Sequence, residues 1–475
     1  MVMKHIFALL LLSLFALSCD KESSSDPINH EERFAQIEKS LQPNFQIAGQ
    51  EIPTWTIEER MKELGIPGVS IAFTYEGEVV WAKGYGMADV AANKEMTPET
   101  MLLAGSISKP VAALRAHQMV EEGILDLDTD VNSHLSSWQL PDNEFTEDEK
   151  VTLRRILNHT AGLTVWGFPG YDKGDDIPST QEVLDGKGNT DAVRVYKEPG
   201  ESWMYSGGGY TIMQLMISDN QDVSFVESLQ EHVLDKINME KSTYANPLSE
   251  EYHQMAATGY RRNGDEVEGK WPIYPEMAAA GLWTTPSQLI QYALEIQDIH
   301  FNKEDGILKY ETVKEMLKPG MNNWGLGPTS DDDFFGHGGA DEGFMSDLIA
   351  SKDESIAMVV MVNSDNNIII REIELAIADA YGLDIKPDVR ETIELTEEEM
   401  QAYVGTYELQ YGPCEISIVD GNLQLSAEYA NPPFPMYANT KERLFHGIDG
   451  TWLTFKFEKD KVVGFEVQGQ FATKK

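Results

Sequence analysis

The run Ala357-Met358-Val359-Val360-Met361-Val362 reads as a strand buried on both faces. Such a strand cannot stand alone, because each of its backbone N–H and C=O groups needs a partner away from water. Matching strand signals lie far upstream. Val69-Ser70-Ile71-Ala72-Phe73 and Val79-Val80-Trp81 flank the turn residues Glu76-Gly77, as a β-hairpin requires. Between the two groups, from about Asp126 to Lys270, the pattern is mostly helical with long polar loops such as Asp172 to Gln181. Early and late strands must therefore pair across that middle. The fold class expected is α+β: a mainly antiparallel sheet flanked by helices, with a helical subdomain inserted. A helical stretch from Thr56 to Leu64 stops at Gly65-Ile66-Pro67-Gly68, and another from Ile370 to Tyr381 stops at Gly382.

A second unit begins near Leu395. Thr396 to Glu399 has the form of a capping box, and short alternating segments follow: Ile416/Ile418, Leu423/Leu425, Leu453/Phe455/Phe457 and Phe465/Val467. Asp420-Gly421 marks a hairpin between the first two. Residues 395–475 are thus expected to form a small C-terminal antiparallel β-barrel-like domain, after a main domain at 50–385.

Lys4 and His5 precede an apolar run from Ile6 to Leu17, too short to span a bilayer as an ordinary helix and suited to a signal peptide over residues 1–18. The run ends in Leu14-Phe15-Ala16-Leu17-Ser18-Cys19, which resembles a bacterial lipobox, with Ala16 where leucine is usual. The resemblance implies cleavage before Cys19 and lipidation of its thiol, residues 19–49 serving as a lipidated tether and linker. One helix, from His30 to Leu41, is expected within that tether. The chain is then an exported, membrane-anchored lipoprotein, periplasmic or at the cell surface. With Cys19 lipidated, Cys414 is the one remaining thiol. A net charge of -42 repels phosphate backbones, which disfavours nucleic acid as a partner.

The chemistry centres on Gly105-Ser106-Ile107-Ser108-Lys109, which opens a helical run from Ile107 to Gly123. Residues three apart share a helix face, so Lys109 lies one turn from the Ser106 hydroxyl. A serine hydroxyl needs a base to become a nucleophile. A buried lysine can lose its proton near neutral pH or hold a neighbouring phenol as phenolate. Serine at a helix N-terminus also aims free N–H groups at a developing oxyanion. Gly-x-Ser-x-Gly, His-Glu-x-x-His and paired-cysteine motifs are absent from the sequence, so neither an α/β-hydrolase elbow nor a metal or cofactor site is expected.

The surrounding motifs resemble the β-lactamase-related serine hydrolases, a family holding class C β-lactamases, D-alanyl-D-alanine carboxypeptidases, D-aminopeptidases and many esterases. They run in order: Ile66-Pro67-Gly68-Val69-Ser70, Lys83-Gly84-Tyr85-Gly86, Thr97-Pro98-Glu99-Thr100, the Ser106–Lys109 run, then Leu157 to Leu163. Glu198-Pro199-Gly200, Tyr205-Ser206-Gly207, Ala280 to Pro286 and His337-Gly338-Gly339 complete the series. The resemblance implies a β-lactamase/transpeptidase-like fold and a covalent acyl-enzyme on Ser106. Tyr205 and Lys109 would share the proton work, with His337 in the third motif. Ser106 and Ala340 would supply oxyanion-hole N–H groups, and Gly207, Gly338 and Gly339 would line the substrate.

Two positions depart from the penicillin-recognising members. Gly207 stands where Tyr-x-Asn places an amide, and His337 stands where many relatives have lysine. Both shift emphasis from penicillin toward an ester, amide or D-amino-acid peptide. Two other readings use the same residues: a penicillin-interactive D-Ala-D-Ala carboxypeptidase or β-lactamase, and a non-catalytic surface binding protein on this fold. Trp166, Trp324 and Tyr210 are candidates for the pocket wall, and the run Ser330-Asp331-Asp332-Asp333 for either a cleft charge or a solvated loop.

Overall fold

Glu76 and Gly77 take left-handed backbone, with φ of 51° and 76°. That is the geometry of a tight hairpin turn, and it sets Tyr75 opposite Glu78. In the computed structural model, which describes residues 28–475 apart from 354–355, 410–411, 428–429, 448–449, 460 and 468–469, this hairpin is the organising element. The signal segment at 1–18 and Cys19 lie outside the described residues.

The strand Gly68–Tyr75 pairs on one side with Glu78–Asp89 and on the other with Ile356–Val362, Val69 facing Val362. The late apolar strand has found the early hairpin. Outward from it come Phe344–Ser351, Phe334–Asp341 and the short Thr329–Ser330, and every neighbouring pair in the sheet is antiparallel. Alternate residues of the central strands enter two different cores. Val69, Ile71, Phe73, Met358 and Val360 face the helices Ile57–Leu64 and Ile368–Tyr381; Ala72, Ala357, Val359 and Met361 face the other layer. Small side chains on that second face let the long helix Pro286–Asn302 lie close. Beyond it runs Ser108–Glu121, nearly every residue of which is buried. Each fully buried aliphatic side chain here contributes about 1.5–3 kcal/mol relative to exposure.

Two expectations need correction. Residues 28–49 are not a free tether. The helix, Asn29-capped over His30–Ile37 and shorter than expected, buries Phe34 against Trp81 at 5.1 Å and Ile37 completely. The strand Phe45–Ile47 then pairs in parallel with Asp388–Arg390. The apolar side chains at 34, 37 and 41 are too sparse to show, in sequence, which surface they cover. The middle of the chain is also less helical than its periodicity suggested. Between Asp126 and Lys270 the α-helices are Leu153–Leu157, Thr180–Leu184, Gly207–Asp219 and Phe225–His232, joined by loops with side-chain hydrogen bonds of their own.

The C-terminal unit is a closed antiparallel barrel of eight strands from Gly405–Leu409 to Gln470–Lys474. Closure removes the exposed strand edges a small sheet would leave. Thr396 and Glu399 form the expected capping box, and Asp420-Gly421 turns Val419 onto Asn422. Arg390 pins the barrel to the main domain. Its guanidinium lies 5.1 Å from the Phe45 ring, 5.0 Å from Phe445 and 4.2 Å from Trp452, and it donates to Asp388 and the Gly450 carbonyl. Arg390→Ala is expected to weaken this junction by about 2 kcal/mol. Limited proteolysis should cut faster between residues 386 and 404, while each domain keeps its own protection; unchanged cleavage there would remove Arg390 from this role.

Candidate active site

Ser106 stands in a 3-10 turn, Gly105–Ile107, that leads into the Ser108–Glu121 helix. Gly105 has φ +53°, and a Cβ on it would lie 2.4 Å from the Ala340 nitrogen. Glycine is therefore required, and its absence of side chain brings the Ala340 N–H beside the serine turn. Three side-chain bonds hold this turn. Ser108 Oγ donates to the Gly105 carbonyl at 2.6 Å and accepts from the Leu282 N–H at 2.9 Å, and Ser346 Oγ donates to the Ala104 carbonyl at 2.9 Å.

Lys109 is 2% exposed, with Nζ 3.0 Å from Ser106 Oγ and 2.8 Å from the Ala279 carbonyl. Burial disfavours its charged form and brings its pKa down to about 7, against the opposing pull of Asp341. Asp341 is itself buried and is pushed up by that burial. Lys109, the Gly105 N–H and the Tyr274 hydroxyl act in the other direction. Tyr205 bonds to the Ser106 hydroxyl, which lowers its pKa, but burial raises it more, so the resting phenol keeps its proton. The Lys109 ammonium position lies 4.9 Å from the centre of the Tyr205 ring.

Tyr205 is oriented by a residue that sequence reading placed only within a helix-end motif. His159 is 1% exposed, stacks on Tyr205 at 4.2 Å, and accepts the Ser206 N–H on Nδ1 at 3.1 Å. Its carbonyl takes the Met204 N–H at 2.7 Å, so both ends of the Tyr205 segment are tied to the Leu157–Leu163 loop. Burial and the nearby Lys109 and His337 hold His159 well below its ordinary pKa, as a neutral ring. Ala279 was also missed, since a backbone carbonyl carries no sequence signal.

His337 is 5% exposed, and burial together with Lys109 takes its pKa down to about 3. It is a neutral group, not one that titrates near pH 6.5. Its Nδ1 lies 2.5 Å from the Gly338 carbonyl, which can only accept, so Nδ1 carries the proton and Nε2 the lone pair. The two glycines after it have separate reasons. Gly338 is exposed with room for a Cβ, 3.7 Å from its nearest neighbour, Asp347. A Cβ at Gly339 would meet the Ala104 carbonyl at 2.0 Å. Gly339 thus serves the packing of the serine turn. Gly207 begins its helix, where a Cβ would approach the Phe168 ring to 2.9 Å.

Of the candidate wall residues, Trp166 is 72% exposed and 5.4 Å from Tyr205, at the mouth of the site. Trp324 stands 5.6 Å from Tyr205 and 5.2 Å from His337, while Tyr210 is fully buried and donates to the Leu157 carbonyl, a core residue. Asp331 to Asp333 form an exposed turn ahead of the Phe334–Asp341 strand, Asp331 accepting from the Asp333 and Phe334 N–H groups. Cys414 lies in the barrel core, where burial lifts its thiol to about 11. Among the described residues no group of three or more His, Cys, Asp or Glu is placed to hold a metal ion.

A family model described as Beta-lactamase matches residues 55–379. Protein flp of Staphylococcus aureus (strain MW2) is 25% identical over 343 residues, 67% of this chain; the alignment spans 64% of that relative's length. The octameric penicillin-binding protein homologue from Pyrococcus abyssi superposes with a TM-score of 0.61 at 23% identity, over 88% of this chain and 98% of that one. FmtA from Staphylococcus aureus gives 0.57 at 17% identity, over 72% and 91%.

Keeping Lys109 dry has a cost in stability whose sign is fixed. Its folded-state pKa is about 7 against 10.5 for the free side chain, so between those values the unfolded chain binds the extra proton. The penalty is full below pH 7 and fades as pH rises toward 10.5. Lys109→Met is expected to stabilise the fold by about 2–4 kcal/mol at pH 7, allowing for the lost hydrogen bonds, and by less at about pH 9.5. Chemical denaturation at the two pH values measures this. A variant less stable than the parent at pH 7 would contradict the assignment of a dry, depressed lysine.

Proposed function

The chain belongs to the Beta-lactamase family, and on that footing we propose that it is a serine hydrolase forming an acyl-enzyme at Ser106 on an uncharged ester, amide or D-amino-acid peptide. The observation that carries the reading is a buried lysine, with its pKa near 7, in contact with the serine hydroxyl at 3.0 Å. Neutral Lys109 accepts the Ser106 proton as Oγ bonds to the substrate carbonyl carbon. Tyr205 stays within the same hydrogen-bond set to relay that proton. The carbonyl oxygen becomes an oxyanion facing the N–H groups of Ser106 and Ala340. Collapse of the tetrahedral intermediate breaks the bond to the alcohol or amine, which leaves with the proton handed over from the Lys109–Tyr205 pair. Water then attacks the acyl-enzyme by the same steps in reverse order and frees the acid.

Charge supports this substrate class. His337 is neutral and Lys109 only partly charged near pH 7, so neither offers a fixed cation to a carboxylate of the penicillin or D-Ala-D-Ala type, and Gly207 offers no side-chain amide. We further propose that Cys19 carries a lipid anchor that holds the enzyme at an exported membrane face. Cys19→Ala should move the protein from the membrane to the soluble fraction of cells.

A fluorophosphonate probe should label the full chain at Ser106, and Ser106→Ala should lose the label. Hydrolysis of p-nitrophenyl acetate should rise with pH through an apparent pKa near 7, because the working form of Lys109 is the deprotonated one. Lys109→Arg, permanently charged, should abolish both label and turnover. No labelling at Ser106, with a control hydrolase reacting, would leave a binding protein on this fold as the surviving reading. Stable labelling by a fluorescent penicillin would restore the penicillin-interactive one.

A further inference from the structure

The two ends of the C-terminal barrel are built differently. At one end Tyr403, Tyr407, Phe455 and Phe465 pack ring against ring, with centroids 5.0–6.2 Å apart, next to the Glu397–Gln401 helix, whose Met400 joins the same cluster. That end is plugged. At the other, Leu409, Phe434 and Val467 are only half-buried, and with Leu425, Leu453 and Phe465, which the plug and the opening share, they line a cavity of about 700 Å³. An eight-stranded barrel has room inside for its own side chains or for one small ligand. Here the side chains fill the plugged end and leave apolar surface uncovered at the open one. Covering it is favourable by about 25 cal/mol per Å².

The main domain supplies the far wall through the loop Arg261-Arg262-Asn263 and Asp365. Arg261 is committed: its Nε and Nη2 reach Glu342 at 2.8 and 2.6 Å. Asp365 accepts the Gly343 N–H at 2.5 Å and feels both arginines. Arg262 is exposed and makes one long bond, 3.5 Å, to Asn366, with no ion-pair partner among the described residues. In a chain with 79 acidic and 37 basic residues, a cation left without an ion pair beside an apolar opening sets the sign of what fits there. The negative field of the whole chain is screened beyond about 8 Å at physiological salt, so the local groups decide: Glu342 neutralises Arg261, and exposed Arg262 faces Asp365, whose carboxyl burial pushes toward its protonated form.

We propose that this mouth binds a single-chain carboxylate amphiphile, with its hydrocarbon tail in the barrel opening and its carboxylate at Arg262. The volume suits a small-molecule site, which typically spans about 300–1,000 Å³. The site is separate from Ser106 and does not depend on the hydrolase reading.

The test uses the full chain carrying Ser106→Ala, so that nothing is turned over, and 11-(dansylamino)undecanoic acid as the probe. Saturable fluorescence enhancement, displaced by dodecanoate and far less by dodecanol, is expected. Arg262→Glu should weaken probe binding about ten-fold, equivalent to about 1.4 kcal/mol. Leu409→Trp, which fills the opening, should abolish binding while thermal stability and, in the Ser106 chain, p-nitrophenyl acetate hydrolysis stay unchanged. Absence of saturable binding in a folded chain overturns the proposal. So does binding indifferent to both variants, which would place the probe elsewhere, or displacement by dodecanol as effective as by dodecanoate. A chain that binds the probe but never reacts at Ser106 would refute the hydrolase reading and leave this site standing.

Discussion

The serine turn lies against the strand Phe334–Asp341 at a distance that only glycine permits, and from both sides. Gly105 would drive a Cβ to 2.4 Å from the Ala340 nitrogen, and Gly339 would drive one to 2.0 Å from the Ala104 carbonyl. Two segments more than two hundred residues apart are thus locked to a separation that brings the Ala340 nitrogen beside the serine turn. The locking is polar as well as steric. Ser346, Ser108 and the Leu282 N–H satisfy the carbonyls and hydroxyls that this close approach buries. Move the turn by an ångström and Ser106, Lys109 and the Ala340 N–H lose their common geometry.

The same approach makes the site dry, and dryness governs its charges. Lys109, His159 and His337 are each shifted toward the neutral form by burial first; the Lys109 charge adds to the shift of both histidines, while Asp341 opposes that of Lys109. Asp341, and Glu276 at about 7, are shifted up by the same cause. Five ionisable groups in one region therefore rest near electrical neutrality, although the chain as a whole is strongly acidic. The surface charge says little about the cleft, since the two are set by different solvents: water outside, packed protein inside.

Much of this was legible from residue types. Ser106 and Lys109 carry their spacing in the sequence, and the Glu76-Gly77 and Asp420-Gly421 turns announce their hairpins because few other pairs tolerate positive φ at both positions. The late strand declared its need for a partner through an unbroken apolar run. What could not be read depended on three-dimensional neighbours. His159 looks like any histidine until the Ser206 N–H and the Tyr205 ring close on it. The histidine at 337 carries no sign in sequence of the burial that takes its pKa down to about 3. Gly339 suggests room for a substrate, whereas the obstacle to a side chain is Ala104 from the same chain. The helix His30–Ile37 looked like part of a tether because its apolar side chains are few, and its polar ties, such as His30 to Tyr381 and Glu38 to Tyr85, join residues far apart in sequence.

A dry lysine destabilises the fold that contains it, so the surroundings must hold it in place. The helix that carries Lys109 is buried along almost its whole length, and it is set in the larger of the two cores flanking the sheet. Rotating that helix to bring Lys109 to water would expose Val111, Ala112 and Leu114, all fully buried, at a cost of several kcal/mol. That cost matches or outweighs the roughly 4 kcal/mol that the ammonium would regain in water at pH 7, the difference between a pKa of about 7 and one of 10.5. The apolar helix is thus the reason that a weak amine, rather than a solvated cation, faces Ser106.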